Sequence, residues 1–207
     1  MSKLSKTSRR AVRLLAVLGA AAWVSGCAPL VVGGAAVGGA MVFSDRRTSG
    51  TQLEDQAIEL KAANRAREVL GDRGHLNFTA YNRTLLITGE VPTEEDRQAV
   101  ERAVAGVENL RSVVNELGVL GNSSLTARSS DAIITSKVKA SFVDAKDLQA
   151  SAVKVTTERG VVYLMGRVTE REATRATELA RNVGGVTKVV RVFEMLTETE
   201  LSNLTTK

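Results

Sequence analysis

The chain is poor in the residue types that usually mark chemistry. Its 207 residues include one cysteine, one histidine, two prolines, one tryptophan, two tyrosines and four phenylalanines. A single thiol, Cys27, cannot close an intramolecular disulfide. With one Cys and one His, the latter (His75) in a predicted loop far from the thiol, a Cys/His zinc site or nucleophile pair is a poor reading. Few aromatics leave few platforms on which bases could stack. Neither G-x-G-x-x-G nor G-x-x-x-x-G-K-[ST] is present, so no phosphate-cradling loop is expected.

Basic surplus is also scarcer than the total suggests. The formal charge of +5 comes from 28 basic and 23 acidic residues. Five of those bases, Lys3, Lys6, Arg9, Arg10 and Arg13, lie in residues 1–26 with no acid among them. The remainder is neutral, which argues against nucleic acid as a partner. Residues 55–120 carry 8 bases and 11 acids, whereas 131–199 carry 11 and 9. If either half meets an anionic surface, it should be the second.

The N-terminal segment has a clear pattern. The basic start is followed by the apolar run "LLAVLGAAAWV" and then by the small residues Ser25 and Gly26. Val24-Ser25-Gly26-Cys27 resembles the bacterial lipoprotein signal, which implies cleavage before Cys27 and an S-diacylglycerol and N-acyl group on it. Two alternatives stand beside this. Ser8-Arg9-Arg10 is a fragment of a twin-arginine signal. The uncharged run from Leu14 to Phe43 is long enough to span a bilayer uncleaved, although Pro29 and the glycines at 33, 34, 38 and 39 interrupt it.

Beyond a Gly/Ala/Val-rich stretch that ends in "SDRRTSGTQ", the chain repeats itself. Asp55 aligns with Asp131, "TLLITGEVPTEED" with "VVYLMGRVTEREA", and "VENLRSVVN" with "VGGVTKVVR". Each copy reads as a helix (about 53–70 and 130–143), a strand (77–82 and 153–158), a tight turn at Asn82-Arg83 or Arg159-Gly160, and a second strand. Gly89 and Gly166 are expected to end that second strand in a sharp turn. A helix follows, capped by Thr93 or Thr169, with Ala99, Ala103 and Val107 or Ala173, Ala176 and Ala180 along one side. A last strand near 110–118 and 187–195 completes an αββαβ unit. Two units of this size should gain stability by packing together.

The paired V-x-L-x-G-x-V … A … GV-x-x-V pattern, plainest in "GVVYLMGRVTEREATRATELARNVGGVTKVV", resembles the BON domain of bacterial envelope proteins. The resemblance implies an α+β fold of two tandem αββαβ units, each a three-stranded mixed sheet with two helices. The division expected is a signal peptide at 1–26, a lipidated tether at 27–51, a first BON domain at 52–120, a linker at 121–129, a second BON domain at 130–199 and a tail at 200–207. With the lipobox, it implies a periplasm-facing outer-membrane lipoprotein whose second unit recognises anionic phospholipid through its first helix. Ala28, in place of Asp, fits sorting to the outer membrane. The family's aromatic anchor on that helix is replaced here by Ile133, which should weaken interfacial anchoring.

The residues of that helix give an independent reading. At about 100° per residue, Ile134, Val138 and Phe142 form a core face. Ile133, Ala140 and Val143 fall on the far side, flanked by Lys137 and Lys139. An apolar patch bordered by ammonium groups suits an anionic bilayer. The pattern alone serves equally for packing against the first repeat or the linker. In the first copy, Glu59 and Glu68 make the matching helix unsuited to such a surface, and its charges read as a solvated face. The rival classes are an enzyme and a protein-interaction adaptor, for instance to outer-membrane assembly machinery. Glu94, Glu95 and Asp96, like Glu170 and Glu172, sit where helix starts favour carboxylates, without a catalytic partner, so no catalytic residue, metal or cofactor is expected.

Overall fold

The computed structural model describes residues 45–205. Cys27, the basic start and the glycine-rich stretch up to residue 44 fall outside them. The first repeat consists of α1 (Ser49–Leu70), β1 (His75–Tyr81), β2 (Thr84–Val91), α2 (Glu94–Ala105) and β3 (Ser112–Val119). The second consists of α3 (Leu125–Asp144), a 3-10 turn (Ala150–Ala152), β4 (Val153–Glu158), β5 (Val161–Val168), α4 (Glu170–Arg181) and β6 (Lys188–Met195). Helix α5 (Glu198–Thr205) closes the described chain, where the sequence suggested a plain tail. Each repeat folds as an antiparallel hairpin with its third strand added in parallel, in the orders β1-β2-β3 and β4-β5-β6. This is the α+β, αββαβ architecture expected.

Local chemistry explains the element ends. Both opening helices start earlier than the apolar pattern suggests, because Thr48 and Ser124 cap them: each hydroxyl accepts the N–H three residues on. Thr93 and Thr169 do the same for α2 and α4. Both hairpins turn through left-handed residues, Asn82 and Arg83 (φ 48° and 66°) and Arg159 and Gly160 (φ 50° and 74°). A buried aspartate secures each turn. Asp55 accepts the amides of Asn82 and Arg83 at 2.8 and 2.7 Å, and Asp131 accepts those of Arg159 and Gly160, both at 2.8 Å.

Several expectations need correcting. Gly89 and Gly166 do not end their strands, which run on to Val91 and Val168. They are glycines because another backbone lies against them: a Cβ would stand 2.0 Å from the His75 carbonyl oxygen and 2.3 Å from that of Ala152. On α2 the buried line is Val100 and Val104, while Ala99 and Ala103 are half-buried; the larger side chains take the core. On α4 the line Ala173, Ala176 and Ala180 is fully buried. His75 opens β1 and is not in a loop.

Each repeat has its own core: Ile58, Leu85, Ile87, Val100 and their neighbours in the first, and Val138, Phe142, Val162, Leu164 and theirs in the second. Tyr81 and Leu86 of one sheet join Tyr163 and Met165 of the other in a third cluster, so the repeats share an apolar interface. Polar bonds cross the junction as well. Lys154 binds Glu59 at 2.9 Å, and Glu59 also accepts the Ala80 amide at 2.7 Å. Glu59 is therefore an interdomain residue and not part of a solvated face.

The segment before α1 is bound too. The Arg46 guanidinium makes a fork on Glu172 (2.7 and 2.8 Å) and donates to the Arg167 carbonyl at 2.6 Å. Arg47 binds Asp45 and Asp55, both at 2.7 Å, and stacks over the Tyr81 ring at 4.2 Å from its centroid. Residues 45–51, which the sequence assigned to a flexible tether, are thus held on the fold, and the last three lie in α1.

Candidate functional site

Helix α3 carries the sequence-predicted site. It buries Asp131, Ile134, Val138 and Phe142 and turns its opposite face outward. On that face Ile133 is 56% and Val143 61% exposed, and Ala140, Lys137 and Lys139 are exposed as well. All five predicted contact residues on α3 thus reach the surface; Cys27 lies outside the described residues. Neither lysine forms an ion pair among the described residues.

Sequence reasoning missed two members of the face. Ala132 and Ser136 line a shallow depression together with Ile133, Lys137 and Ala140. The same helical projection would have found them, since Ala132 lies one residue before Ile133 and Ser136 four after Ala132. The Ser136 hydroxyl donates back to the Ala132 carbonyl at 2.9 Å, and Ser129 and Ser130 make similar bonds. Folding those hydroxyls onto the helix lowers the polarity of its outer side. Asp144, exposed at the last position, ends the face with a negative charge.

Four of the five carboxylates singled out at the helix starts are engaged structurally. Asp96 is paired with Arg73 at 2.7 Å, and Glu172 with Arg46. Glu170 meets Arg191 at 3.0 Å and Glu94 meets Arg97 at 3.3 Å. Burial alone would raise the Glu172 pKa, but the Arg46 guanidinium and the Thr169 amide hold it below the usual carboxylate value. Among the described residues, no helix is long and apolar enough to cross a membrane.

Two copies of one αββαβ module, each with its own core, joined through an apolar interface and presenting an exposed cationic-apolar helix, define a tandem-module protein. The chain belongs to the BON-domain family, whose model matches residues 55–121 and 130–197. It is similar to the outer membrane lipoprotein DolP of Haemophilus influenzae, 37% identical over 187 residues, covering 89% of this chain and 96% of that one. A 21 kDa hemolysin of Actinobacillus pleuropneumoniae is 33% identical over 151 residues, 72% of this chain and 78% of that one. Osmotically-inducible protein Y of Escherichia coli K12 is 27% identical over 159 residues, 73% and 77% of the two chains. This is a dual BON-domain protein of the DolP type.

Proposed function

We propose that the chain is an outer-membrane lipoprotein facing the periplasm, acylated at Cys27 after removal of residues 1–26, that lays the outer face of α3 on anionic phospholipid. The likeness to an outer membrane lipoprotein supports the location, and the lipobox-like Val24–Cys27 supports the anchor. One observation carries the lipid contact: Ile133 and Val143 stand in water between two lysines that form no ion pair among the described residues. Burying such side chains in the interface contributes roughly 1.5–3 kcal/mol each, and each lysine about 1 kcal/mol near an anionic surface. That is weak for a free protein. An acyl chain on the same molecule raises the local concentration enough to make it useful. No chemical step enters this reading; the protein is a non-catalytic component of the envelope.

The test uses the soluble form, 28–207, and phosphatidylglycerol vesicles. Ile133→Glu should abolish cosedimentation. If the variant sediments like the parent, the α3 contact is wrong, and the protein-adaptor reading leads, with exposed Leu53 and Leu60 of α1 (67% and 68%) as its starting surface. Intact mass of membrane-purified protein tests the anchor; an uncleaved N-terminus without a lipid adduct would overturn it.

A further inference from the structure

Where the repeats meet, three side chains distant in sequence converge. His75 and Glu90 are directly opposed in the β1–β2 ladder. Glu158 ends β4 of the other repeat. Their candidate ligand atoms all lie within 4.8 Å of one another. We propose that His75, Glu90 and Glu158 bind a divalent transition-metal cation of the zinc class, which joins the two BON domains.

The imidazole supplies the strongest reason. His75 Nδ1 is shielded from solvent and has no hydrogen-bond partner among the described residues, a condition that ordinarily costs free energy. It faces Glu90 Oε2 at 3.5 Å. That is loose for a hydrogen bond, yet it matches the edge of a tetrahedron with metal–ligand bonds of about 2.0–2.1 Å, which is about 3.4 Å. One imidazole and two carboxylates suit zinc and its neighbours better than calcium or magnesium.

The surroundings are built as a metal site needs. The Asn77 amide donates to Glu158 at 2.7 Å, and the Ser123 amide donates to Glu90 at 3.2 Å, orienting both carboxylates. Arg159 holds the other Glu90 oxygen at 2.5 Å and competes with a metal ion for that carboxylate. Glu158 forms no ion pair with an arginine or lysine among the described residues. A cavity of about 350 Å³, lined by His75, Asn77, Arg128, Asp131 and Glu158 among others, offers an entry path. With one cysteine and one histidine the sequence pattern does not point to a zinc site, because the other two donors here are carboxylates.

The experiment takes the full chain, stripped by chelator, and titrates Zn²⁺ against a chromogenic competitor, with Co²⁺ as the spectroscopic probe. One equivalent should bind, and the Co²⁺ spectrum should lack the thiolate charge-transfer band that an unacylated Cys27 would give. His75→Ala and Glu158→Gln should each weaken binding about tenfold or more while still melting cooperatively in chelator. Arg159→Asn, which suits the left-handed turn, should tighten binding by removing a competing cation. Zn²⁺ should raise the melting temperature of the parent but not of the two ligand variants. Absence of stoichiometric binding, a thiolate band, or affinity unchanged in both ligand variants would overturn the site and leave the lipid reading intact.

Discussion

The two repeats meet the same electrostatic need at the start of their second helices and draw on arginines from different places. In each, an N-cap threonine is followed three residues later by a carboxylate, Asp96 in α2 and Glu172 in α4, and an arginine closes the corner. Repeat one supplies its own: Arg73 reaches Asp96 from the α1–β1 loop, with the arginine side chain 56% exposed. Repeat two uses Arg46, from the segment before repeat one, and both partners are 4% exposed. The copies are therefore alike in fold but not in self-sufficiency. A pair open to water contributes about 1 kcal/mol or less, whereas removing one partner of a buried pair costs about 3–5 kcal/mol. Arg46→Ala should destabilise by that larger amount in urea melts and Arg73→Ala by the smaller; equal losses would break the comparison. The pH dependence follows from the same contact. Because the folded pKa of Glu172 is depressed, its contribution is complete above the unfolded value near 4.5 and is lost as pH falls through the folded one. Arg46→Ala should flatten that acid-side loss.

The hairpin aspartates sharpen the contrast from the other direction. Asp55 and Asp131 occupy equivalent positions and accept two turn amides each, but Asp55 also receives Arg47. Asp131→Ala strands two amides at a buried turn and should cost about 2–3 kcal/mol. A loss under about 1 kcal/mol would mean that the turn backbone holds its shape without the carboxylate.

The repeat, the element order and the outward face of α3 were legible because each rests on local periodicity: apolar spacing along a helix, alternation along a strand, turn residues between them. What escaped the reading depends on partners remote in sequence. Arg46 looks like tether until Glu172, 126 residues away, is placed beside it. Glu59 looks solvated until Lys154 arrives from the second sheet. Gly89 and Gly166 look like turn glycines because the backbone that crowds them, at His75 and Ala152, belongs to a neighbouring strand or its approach. The same limit hid the His75 cluster, which no spacing rule encodes. Equivalent positions also show why only one helix suits an anionic surface. Ile133, Ala140 and Val143 replace Ala57, Asn64 and Arg67, while Lys61 is held by Glu108 and its counterpart Lys137 finds Gly184 at the position matching Glu108.

At the junction the expected effect is smaller and of opposite sign. Glu158 has a folded pKa raised above 4.5, so its ionisation opposes folding, and stability is lost as pH rises through that window. Glu158→Gln keeps an oxygen for Asn77 and removes the buried charge. In metal-free buffer it should stabilise the fold at neutral pH, a gain that should vanish below about pH 4.5. Destabilisation at neutral pH would show that the carboxylate is compensated by cations and not stranded.

The smallest effect separates the two hairpin turns. Repeat two has Gly160 at φ 74°, whereas repeat one places Arg83 at φ 66°. A side chain in that conformation costs about 1–2 kcal/mol. Against this, glycine gains unfolded-state freedom worth about 0.4–1 kcal/mol, and the half-exposed Arg83–Glu54 pair contributes about 1 kcal/mol or less. At their midpoints these terms nearly cancel, so Arg83→Gly should shift stability by about 0.3 kcal/mol, inside outer bounds of about −1 and +1.6 kcal/mol. The reverse exchange is not equivalent, because a Cβ on Gly160 would meet the Gly185 carbonyl oxygen at 3.1 Å and Thr187 at 3.2 Å. Gly160→Ala should cost more than Arg83→Gly changes, and parity between the two in urea melts would mean that crowding at Gly160 relaxes without cost.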